Sequence, residues 1–298
     1  MKIAVLGAGA MGSLFGGLLA ETGNDVTLVD VRNETVEAIN ASGLRLEGKS
    51  GETRTVPVRA TTNPADIGRV DLVIVFVKSY DTEVAIHSAE PTIKGNTLVL
   101  TLQNGWGNAA RIAGLTYHSA TVLGPGRIQH AGRGSTVVGE LIGQTGNRLG
   151  QVVDVLNAAG FETTPTANIV QEIWSKLAMN VCTLPTSALL KTFAGQLLDH
   201  QGALDLMRAI LRETVAVANA QGMALSEEER WEAITGLLKR SSGAKPSMLQ
   251  DVEKRRRTEI DVINGAVVAD GKRLGIPTPY NDAMVWLIRS LEETFHEA

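Results

Sequence analysis

The sequence contains one cysteine, few aromatic residues and no excess of positive charge. Among its 298 residues, Cys182 is the single cysteine, aromatic side chains make up 4%, and the formal net charge is -4. One cysteine excludes an internal disulfide and a Cys-x-x-Cys metal motif, so a reducing compartment fits and no metal site is expected. A net negative charge argues against nucleic-acid binding, because that binding depends on a positive surface.

Long apolar segments are also missing from this sequence. No apolar run approaches the roughly 20 residues that a helix needs to span a bilayer, and no signal-peptide pattern precedes Lys2. With 44% apolar and 20% charged residues, the composition is that of a globular protein with room for two domains. We therefore expect a cytoplasmic protein without a membrane partner.

The first half of the chain alternates short apolar runs with helical patterns. These runs are KIAVLGA, DVTLVD, DLVIVFVK, NTLVLTLQ and SATVLG. Continuous apolar strands separated by helices predict a doubly wound α/β domain with a parallel sheet. Segments 44–60 and 126–140 are rich in Gly, Thr, Val and Arg, and they predict extra antiparallel strands at the edge of that sheet.

After residue 165 the strand pattern stops. The remainder predicts helices over 168–184, 200–221, 226–240, 247–274 and 279–296. Pro185 should end or kink the first of these helices and free backbone carbonyls near Val181, because proline has no N–H to donate. We predict a dinucleotide-binding domain over residues 1–166 and an all-helical domain over residues 167–298.

A glycine-rich loop follows the first predicted strand and opens a helix. The loop is GAGAMG, that is Gly7, Ala8, Gly9, Ala10, Met11 and Gly12. In this context Gly7 permits a tight turn, Gly9 lets the backbone approach a pyrophosphate, and Gly12 lets the helix pack on the strand. The pattern predicts that the loop binds a dinucleotide at the start of the helix.

Asp30 and Arg32, at the end of the second predicted strand, give conflicting signals about the cofactor. Asp30 stands where an acid usually accepts hydrogen bonds from the ribose of NAD, whereas Arg32 could bind the 2′-phosphate of NADP. Asp30 could instead cap the helix that starts near Glu34. Lys78 and Asn104 follow the next strand patterns and should reach the same edge of the sheet, where ligands of such sheets bind.

The helical half contains a lysine beside an apolar stripe. Lys176 and Asn180 are four residues apart and share a helical face. Reduction of a carbonyl creates an alkoxide, which needs a proton donor or a fixed positive charge, and the ammonium of Lys176 supplies both. The alternative is a surface lysine that extends to solvent.

Further polar residues of the helical half are candidates for the same site. Glu259 falls on the apolar face of the long predicted helix, where a carboxylate needs a partner; that partner is Lys176, or else Arg255 or Arg256. Ser247, at the start of this helix, is either a plain N-cap or a ligand of a substrate carboxylate. The sequence gives His118 and His130 no evident orienting acid, so we do not expect a histidine mechanism.

These residues together resemble the ketopantoate reductase (2-dehydropantoate 2-reductase) family. The matching segments are GAGAMG, VKSYDT, LQNGWGN, WSKLAMN and PSMLQDVEKRRRTEIDVINGAVV, in family order along nearly the whole chain. The resemblance implies a Rossmann domain followed by a helical domain like the C-terminal part of 6-phosphogluconate dehydrogenase. It also implies that NADPH reduces ketopantoate to D-pantoate on the route to pantothenate, and it is compatible with a homodimer.

The resemblance implies a role for each candidate residue. The glycine loop, Lys78 and Asn104 correspond to cofactor contacts, and Asn104 also lies near the substrate. Lys176 corresponds to the catalytic acid, and Asn180 and Ser247 correspond to substrate contacts. Glu259 corresponds to a catalytic carboxylate beside the nicotinamide ribose.

The sequence departs from the family at three positions. Leu184 and Ala194 replace asparagines that many members carry, so a different or bulkier 2-keto acid becomes plausible. Asp30 leaves NAD as an alternative cofactor, as in related D-2-hydroxyacid dehydrogenases. Two alternative interpretations are a β-hydroxyacid dehydrogenase and a non-catalytic dinucleotide sensor. The first usually has Gly-Ser-Gly shortly before the lysine, where this sequence has NIVQEIWS.

Overall fold

The computed structural model describes residues 1–108, 112–141, 147–240 and 243–296. The chain divides into two compact units. Unit 1 comprises Met1–Gln103 and Asn108–Ile169, and unit 2 comprises Asn104–Gly107 and Val170–Ala298. The short segment Asn104–Gly107, which follows a strand of unit 1 in sequence, therefore belongs with the helices of unit 2.

Unit 1 is built around a mostly parallel sheet. In chain order its described strands are β1 (Lys2–Leu6), β2 (Asp25–Val29), β3 (Leu44–Glu47), β4 (Thr53–Val56), β5 (Arg59–Thr61), β6 (Leu72–Val75), β7 (Leu98–Thr101), β8 (Ile112–Thr116), β9 (Ser119–Gly124), β10 (Arg127–Gly132), β11 (Thr136–Glu140) and β12 (Thr163–Pro165). The main sheet has the order β12–β11–β8–β7–β6–β1–β2–β5. Its parallel part, β5–β2–β1–β6–β7–β8, has the strand order of a Rossmann fold.

The central strands of this sheet are buried on both faces, as the sequence predicts. All four residues of β6 are buried, and helices are the elements that cover such strands. The described helices of unit 1 are α1 (Ala10–Glu21), α2 (Asn33–Ser42), α3 (Thr82–Ala89) and α4 (Arg148–Ala158), with 3-10 turns at Pro64–Ile67, Ser79–Asp81 and Glu90–Thr92. The α/β fold predicted for the first half is confirmed.

The prediction for the extra strands is wrong in part. Strands β4, β3, β10 and β9 form a separate four-stranded sheet, and SATVLG is β9 of that sheet rather than a parallel strand. Alternate residues of β3 are buried, and a β-carbon at Gly17 of α1 would lie 2.9 Å from Leu44 Cδ2. The small sheet therefore packs one face on α1 and is not an extension of the main sheet. Strand β5 joins β2 in parallel. At the other end of the main sheet, β11 pairs antiparallel with β8, and β12 pairs parallel with β11.

Unit 2 is helical in its described part. The helices are α5 (Ile169–Leu190), α6 (Gln201–Ala220), α7 (Glu227–Arg240), α8 (Ser247–Glu253), α9 (Asn264–Leu274) and α10 (Pro279–Glu293), with 3-10 turns at Ala194–Asp199, Ile260–Val262 and Thr294–His296. Trp174, Leu177 and Val181 of α5 are almost fully buried in the core of this unit. Across the described residues, no helix is both long enough and apolar enough to cross a membrane.

Two helix predictions are corrected by the structure. Helix α5 does not end at Pro185 but continues to Leu190. The single helix predicted over 247–274 is two helices, α8 and α9. The chain turns at Arg255, which has a positive φ of 50° and donates hydrogen bonds to the carbonyls of Thr294 and Phe295. These tertiary bonds, distant in sequence, stabilise a break that the local pattern does not reveal.

Candidate functional site

The glycine loop of unit 1 has the geometry that a dinucleotide loop requires. Gly7 has a φ of +97°, and a β-carbon there would lie 2.8 Å from the amide nitrogen of Val77. A β-carbon at Gly12 would lie 1.8 Å from the carbonyl oxygen of Gly7. Packing of the chain on itself therefore explains Gly7 and Gly12. In the described part of the chain, nothing lies within 4 Å of a β-carbon at Gly9, so close approach of a ligand is what remains to explain Gly9.

Helix α1 begins directly after this loop. Gly9 is its N-cap, no acidic residue occupies its first turn, and Ala10 and Met11 are its first two residues. The first N–H groups of a helix have no partner within the helix and favour an anion. Ala8, just before the helix, is almost fully buried and fixes the entry of the chain. The loop and helix start thus fit a pyrophosphate.

Asp30 and Arg32 bind each other at the end of β2. Arg32 Nε donates to Asp30 Oδ1 at 2.8 Å and Nη2 donates to Oδ2 at 2.9 Å, while the Arg32 amide also donates to Oδ1 at 3.0 Å. The hydrogen bond to Asp30 raises the pKa of Arg32, which stays charged. The Asp30 side chain is 7% exposed and that of Arg32 is 43% exposed. Asp30 does not cap α2, whose N-cap is Arg32.

Lys78 lies in unit 1 immediately before the 3-10 turn Ser79–Asp81, at the carboxyl end of β6. The backbone beside it is held by Gln103, a residue that the sequence did not single out. Gln103 Nε2 donates to the carbonyl of Val77 at 2.7 Å and to the hydroxyl of Thr82 at 2.8 Å. The neighbouring segment that carries Lys78 is therefore fixed at the edge of the sheet where ligands of this fold bind.

In unit 2, Lys176 contacts Asn104. This contact is needed if the two residues are to act in one site. Lys176 Nζ donates to Asn104 Oδ1 at 2.9 Å, and the lysine is partly buried on α5. Burial lowers the pKa of Lys176 to about 8, and the negative charge of Glu259 opposes this shift. A partly buried ammonium with a pKa near neutrality can both donate and accept a proton at working pH.

Glu259 acts on Lys176 from a different backbone position than the sequence predicts. It does not lie on a helical face but between α8 and α9, as the N-cap of the 3-10 turn Ile260–Val262. The arginines considered as its alternative partners bind other groups: Arg256 pairs with Asp251, and Arg255 donates to backbone carbonyls. Glu259 therefore lies in a turn, and its position relative to Lys176 depends on the tertiary fold and not on helical periodicity.

The loop Asn104–Gly107 is attached to the same turn. The Trp106 amide donates to the Val262 carbonyl at 2.9 Å. Gly105 has a φ of +90°, and a β-carbon there would lie 2.5 Å from that carbonyl oxygen and 2.7 Å from Val262 Cγ2. The Trp106 ring also packs at 5.9 Å from the buried ring of Trp174 on α5. Gly105, Trp106 and Val262 therefore fix the backbone that carries Asn104, and sequence reasoning missed this role.

Asn180 and Ser247 differ in their surroundings. Asn180 lies one turn after Lys176 and is 5% exposed, and its side chain forms no hydrogen bond with the described residues. Its amide is thus available to a substrate hydroxyl or carbonyl. Ser247 is the first residue of α8 and is exposed, but the N-cap is Pro246 and no side-chain cap bond forms. The N-cap role considered for Ser247 is therefore wrong.

An asparagine from α9 supports the segment of α5 that follows Lys176 and Asn180. Pro185 has no N–H to donate to the carbonyl of Val181, four residues earlier. Asn264 Nδ2 donates to this carbonyl at 3.1 Å and also to Asn281 Oδ1 at 3.1 Å. The prediction that Pro185 frees a carbonyl near Val181 is confirmed, and the fully buried Asn264 supplies the missing donor.

We expect Asn264→Leu to lower the free energy of unfolding by about 1–3 kcal/mol, because buried acceptors lose their donor. If Asn264 replaces the missing helix donor, Pro185→Ala should restore part of the loss by returning an N–H to α5. Urea unfolding of the wild type, both single variants and the double variant measures this coupling. An equal cost of Asn264→Leu with and without Pro185 would contradict the assignment.

His118, His130 and Cys182 bond to groups other than the candidate residues. His118 Nδ1 and His130 Nε2 are 3.0 Å apart in unit 1, and burial lowers the pKa of His118 to about 4. Cys182 is buried in unit 2, where burial raises the pKa of its thiol, so it packs as a small apolar residue. Among the described residues, no group of three or more His, Cys, Asp or Glu could hold a metal ion.

Comparison with known proteins relates both halves of the chain to one family. The model of the ketopantoate reductase PanE/ApbA family matches residues 3–143, and the model of its C-terminal domain matches residues 168–292. A 2-dehydropantoate 2-reductase of Pyrococcus horikoshii is 35% identical over 300 residues, which cover 98% of each chain.

Solved structures give the same relationship. A PanE/ApbA family ketopantoate reductase from Ralstonia eutropha is 34% identical, with a TM-score of 0.90 and 99% of both chains covered. A D-mandelate dehydrogenase with NADH and anilino(oxo)acetate is 30% identical, with a TM-score of 0.94 and the same coverage. Both family models together span most of this sequence, and the chain therefore belongs to the ketopantoate reductase PanE/ApbA family.

Proposed function

We propose that this protein reduces the keto group of a 2-keto acid with a reduced nicotinamide cofactor, and that ketopantoate is the substrate and D-pantoate the product. The observation that carries the proposal is the bond from Lys176 Nζ to Asn104 Oδ1, in a setting that lowers the pKa of the lysine to about 8. A sensor that only binds a dinucleotide has no need of such a lysine.

The cofactor, when bound, supplies a hydride to the keto carbon of the substrate. The residues that would hold it are Gly7, Gly9 and Gly12 with the first N–H groups of α1, and Lys78 at the end of β6. The open position at Gly9 supports this assignment, because no described residue lies within 4 Å of a β-carbon at Gly9 to block the approach of a pyrophosphate. Asn104 and Glu259 complete the proposed set of cofactor contacts.

Lys176 is the proposed proton donor. As negative charge develops on the keto oxygen, the ammonium stabilises it and then transfers a proton, leaving a neutral amine. Asn104 orients the amine through their 2.9 Å hydrogen bond, and Glu259 favours the charged form before the reaction. Asn180 and Ser247 are the proposed contacts of the substrate hydroxyl and carboxylate.

A more apolar 2-keto acid is the second candidate substrate. Leu184 follows Asn180 by one turn on α5 and is 9% exposed, so the face that continues from Lys176 and Asn180 becomes apolar there. A site that offers few hydrogen bonds to a substrate hydroxyl loses affinity for a hydroxylated substrate. The similarity to a D-mandelate dehydrogenase supports the same choice.

Steady-state assays with a panel of 2-keto acids test both candidates. The panel comprises ketopantoate, pyruvate, 2-ketoisovalerate and phenylglyoxylate, each with NADPH and with NADH. The highest kcat/KM with ketopantoate supports the first candidate, and the highest value with phenylglyoxylate or ketoisovalerate supports the second. Binding of cofactor without turnover of any 2-keto acid would contradict the proposed reaction and support a sensor.

We propose NADPH as the preferred cofactor because of how Asp30 and Arg32 share their hydrogen bonds. Both carboxylate oxygens of Asp30 accept from Arg32, and the carboxylate is buried. The guanidinium is the exposed member of the pair, and it retains donors that Asp30 does not use. An arginine held in this way presents a planar donor group suited to a 2′-phosphate.

We therefore expect Arg32→Gln to weaken NADPH binding by about 10- to 100-fold, the range for losing a charge-assisted hydrogen bond. NADH binding should change by less than about threefold, because NADH has no 2′-phosphate to lose a partner. Fluorescence titration of each cofactor measures both effects.

Arg59→Gln is the matched control, because Arg59 also binds an aspartate of unit 1, Asp25, on the exposed surface. It should leave the affinities for both cofactors unchanged. An unchanged ratio of NADPH to NADH affinity in Arg32→Gln would contradict the proposed preference.

A further inference from the structure

A small cavity adjoins the Asp30–Arg32 pair in unit 1. Its volume is about 110 Å³, and its walls come from the glycine loop, the start of α2 and the turn between β9 and β10. Such a volume holds several water molecules or a phosphate group but not a nucleoside. Arg32 lines it from one element and Arg127 from another.

The β9–β10 turn, which directly precedes Arg127, is fixed on both sides. The amide of Arg45 on β3 donates to the Gly126 carbonyl at 2.9 Å. Gly126 has a φ of +63°, and a β-carbon there would lie 3.4 Å from Ala38 Cβ and from Ile39 of α2. The backbone on the N-terminal side of Arg127 is therefore packed against α2, the helix that begins at the other wall of the cavity.

The charges around the cavity set what it can bind. Within the described part of the chain, Arg127 has neither a hydrogen bond nor an ion pair for its side chain, and it is exposed. Arg32 is held by the buried Asp30, so the charge of Asp30 is already compensated. Glu34 also lines the cavity and opposes an anion, but it is exposed in the first turn of α2, where solvent screens its charge.

We propose that Arg127, acting from the small sheet, binds the 2′-phosphate of NADPH together with Arg32. The inference rests on the NADPH preference proposed above and adds a residue to it. The small sheet then covers α1 and also completes the phosphate site. Arg127 is thus a specificity-determining residue for the cofactor.

The test compares Arg127→Gln with the wild type, using NADPH and NADH as cofactors and 2′-AMP and 5′-AMP as isolated probes. We expect the variant to bind NADPH and 2′-AMP at least about tenfold more weakly, as for one lost phosphate contact, with less than about twofold change for NADH and 5′-AMP. The loss should shrink at high salt, because part of it is electrostatic.

Arg45→Gln is the matched control, since Arg45 is the register partner of Arg127 on β3 and does not line the cavity. It should bind all four compounds as the wild type does. Glu34→Gln should strengthen binding of NADPH and 2′-AMP by removing the opposing charge. Both results support a phosphate site at this cavity.

The outcomes separate this inference from the cofactor proposal. If Arg32→Gln weakens NADPH binding and Arg127→Gln does not, the role of Arg127 is overturned and the NADPH preference stands. If the wild type binds NADH more tightly and neither arginine variant changes the ratio, both proposals are overturned. Equal weakening of NADH and NADPH in Arg127→Gln would indicate damage to the fold and would also overturn the inference.

Discussion

Replacement of Lys176 by alanine is expected to lower kcat for keto-acid reduction by about 100-fold or more, the usual scale for a positioned general acid. The variant loses both the proton donor and the positive charge beside the developing alkoxide. Cofactor affinity should change little, because the glycine loop and the bonded pair Asp30–Arg32 belong to unit 1, whereas Lys176 belongs to unit 2. Single-turnover kinetics and cofactor titration measure the two quantities separately.

Two controls distinguish lost chemistry from lost structure. Lys176→Arg keeps a cation but cannot release a proton near neutral pH, so it should restore binding of the substrate anion and not turnover. A small primary amine added to Lys176→Ala should restore part of the rate. Near-wild-type turnover in Lys176→Ala would exclude the proposed mechanism.

The pH profile provides an independent check on the same residue. Because burial lowers the pKa of Lys176 to about 8, the ammonium form that donates the proton predominates below that pH. The rate of reduction should therefore fall as the pH rises through about 8, and the reverse oxidation, which needs the neutral amine, should rise. With rising pH, the rate of reduction should fall and the rate of oxidation should rise, with the same midpoint. Two rates that change in the same direction would contradict the assignment.

Substitution of Gly105 by alanine is expected to reduce kcat/KM by about 100-fold, although the residue has no side chain to contact substrate. The new β-carbon would lie 2.5 Å from the Val262 carbonyl oxygen, so the loop must move away from the turn that follows Glu259. That movement shifts Asn104 from its 2.9 Å bond with Lys176. Displacements of about 1 Å at a catalytic group are enough for a loss of this size.

Gly107→Ala is the matched control for Gly105→Ala. Gly107 lies in the same loop with a φ of +98°, but among the described residues nothing lies within 4 Å of a β-carbon placed there. Both variants accept a strained backbone that costs about 1–2 kcal/mol, and only one displaces the loop. We expect Gly107→Ala to lose stability and to keep most of its activity. Equal losses of activity would mean that backbone strain, and not the contact with Val262, is responsible.

The sequence predicts the parallel sheet well because its signals are local. Each of these signals depends only on residues that are close in sequence. Examples are the glycine loop after β1, the buried run of β6 and the polar residues after each strand. The prediction for the small sheet is wrong because its two pairs of consecutive strands, β3–β4 and β9–β10, join through a distant contact: β3 pairs with β10, more than 70 residues later. No local pattern distinguishes an edge strand from a strand of a second layer.

The same distinction applies to the candidate site. Lys176 and Asn180 are recognised from their spacing on one helix, and Asn104 from its place after a strand. The role of Gly105 depends on Val262, and that of Asn264 depends on Val181, so neither can be inferred without tertiary contacts. The position predicted for Glu259 on a helical face is wrong, because the chain breaks at Arg255, whose side chain bonds the carbonyls of Thr294 and Phe295 just after α10.

Pro185 within α5 makes the amide of Asn264 necessary, so substitutions at these two positions depend on each other as the sequence evolves. A descendant that replaces Pro185 regains a helical N–H and no longer needs the amide of Asn264 to satisfy Val181. A descendant that first loses Asn264 inherits an unsatisfied carbonyl at Val181, about one turn from Lys176. The proline should therefore be the first of the two residues to be exchanged, and the asparagine should follow it.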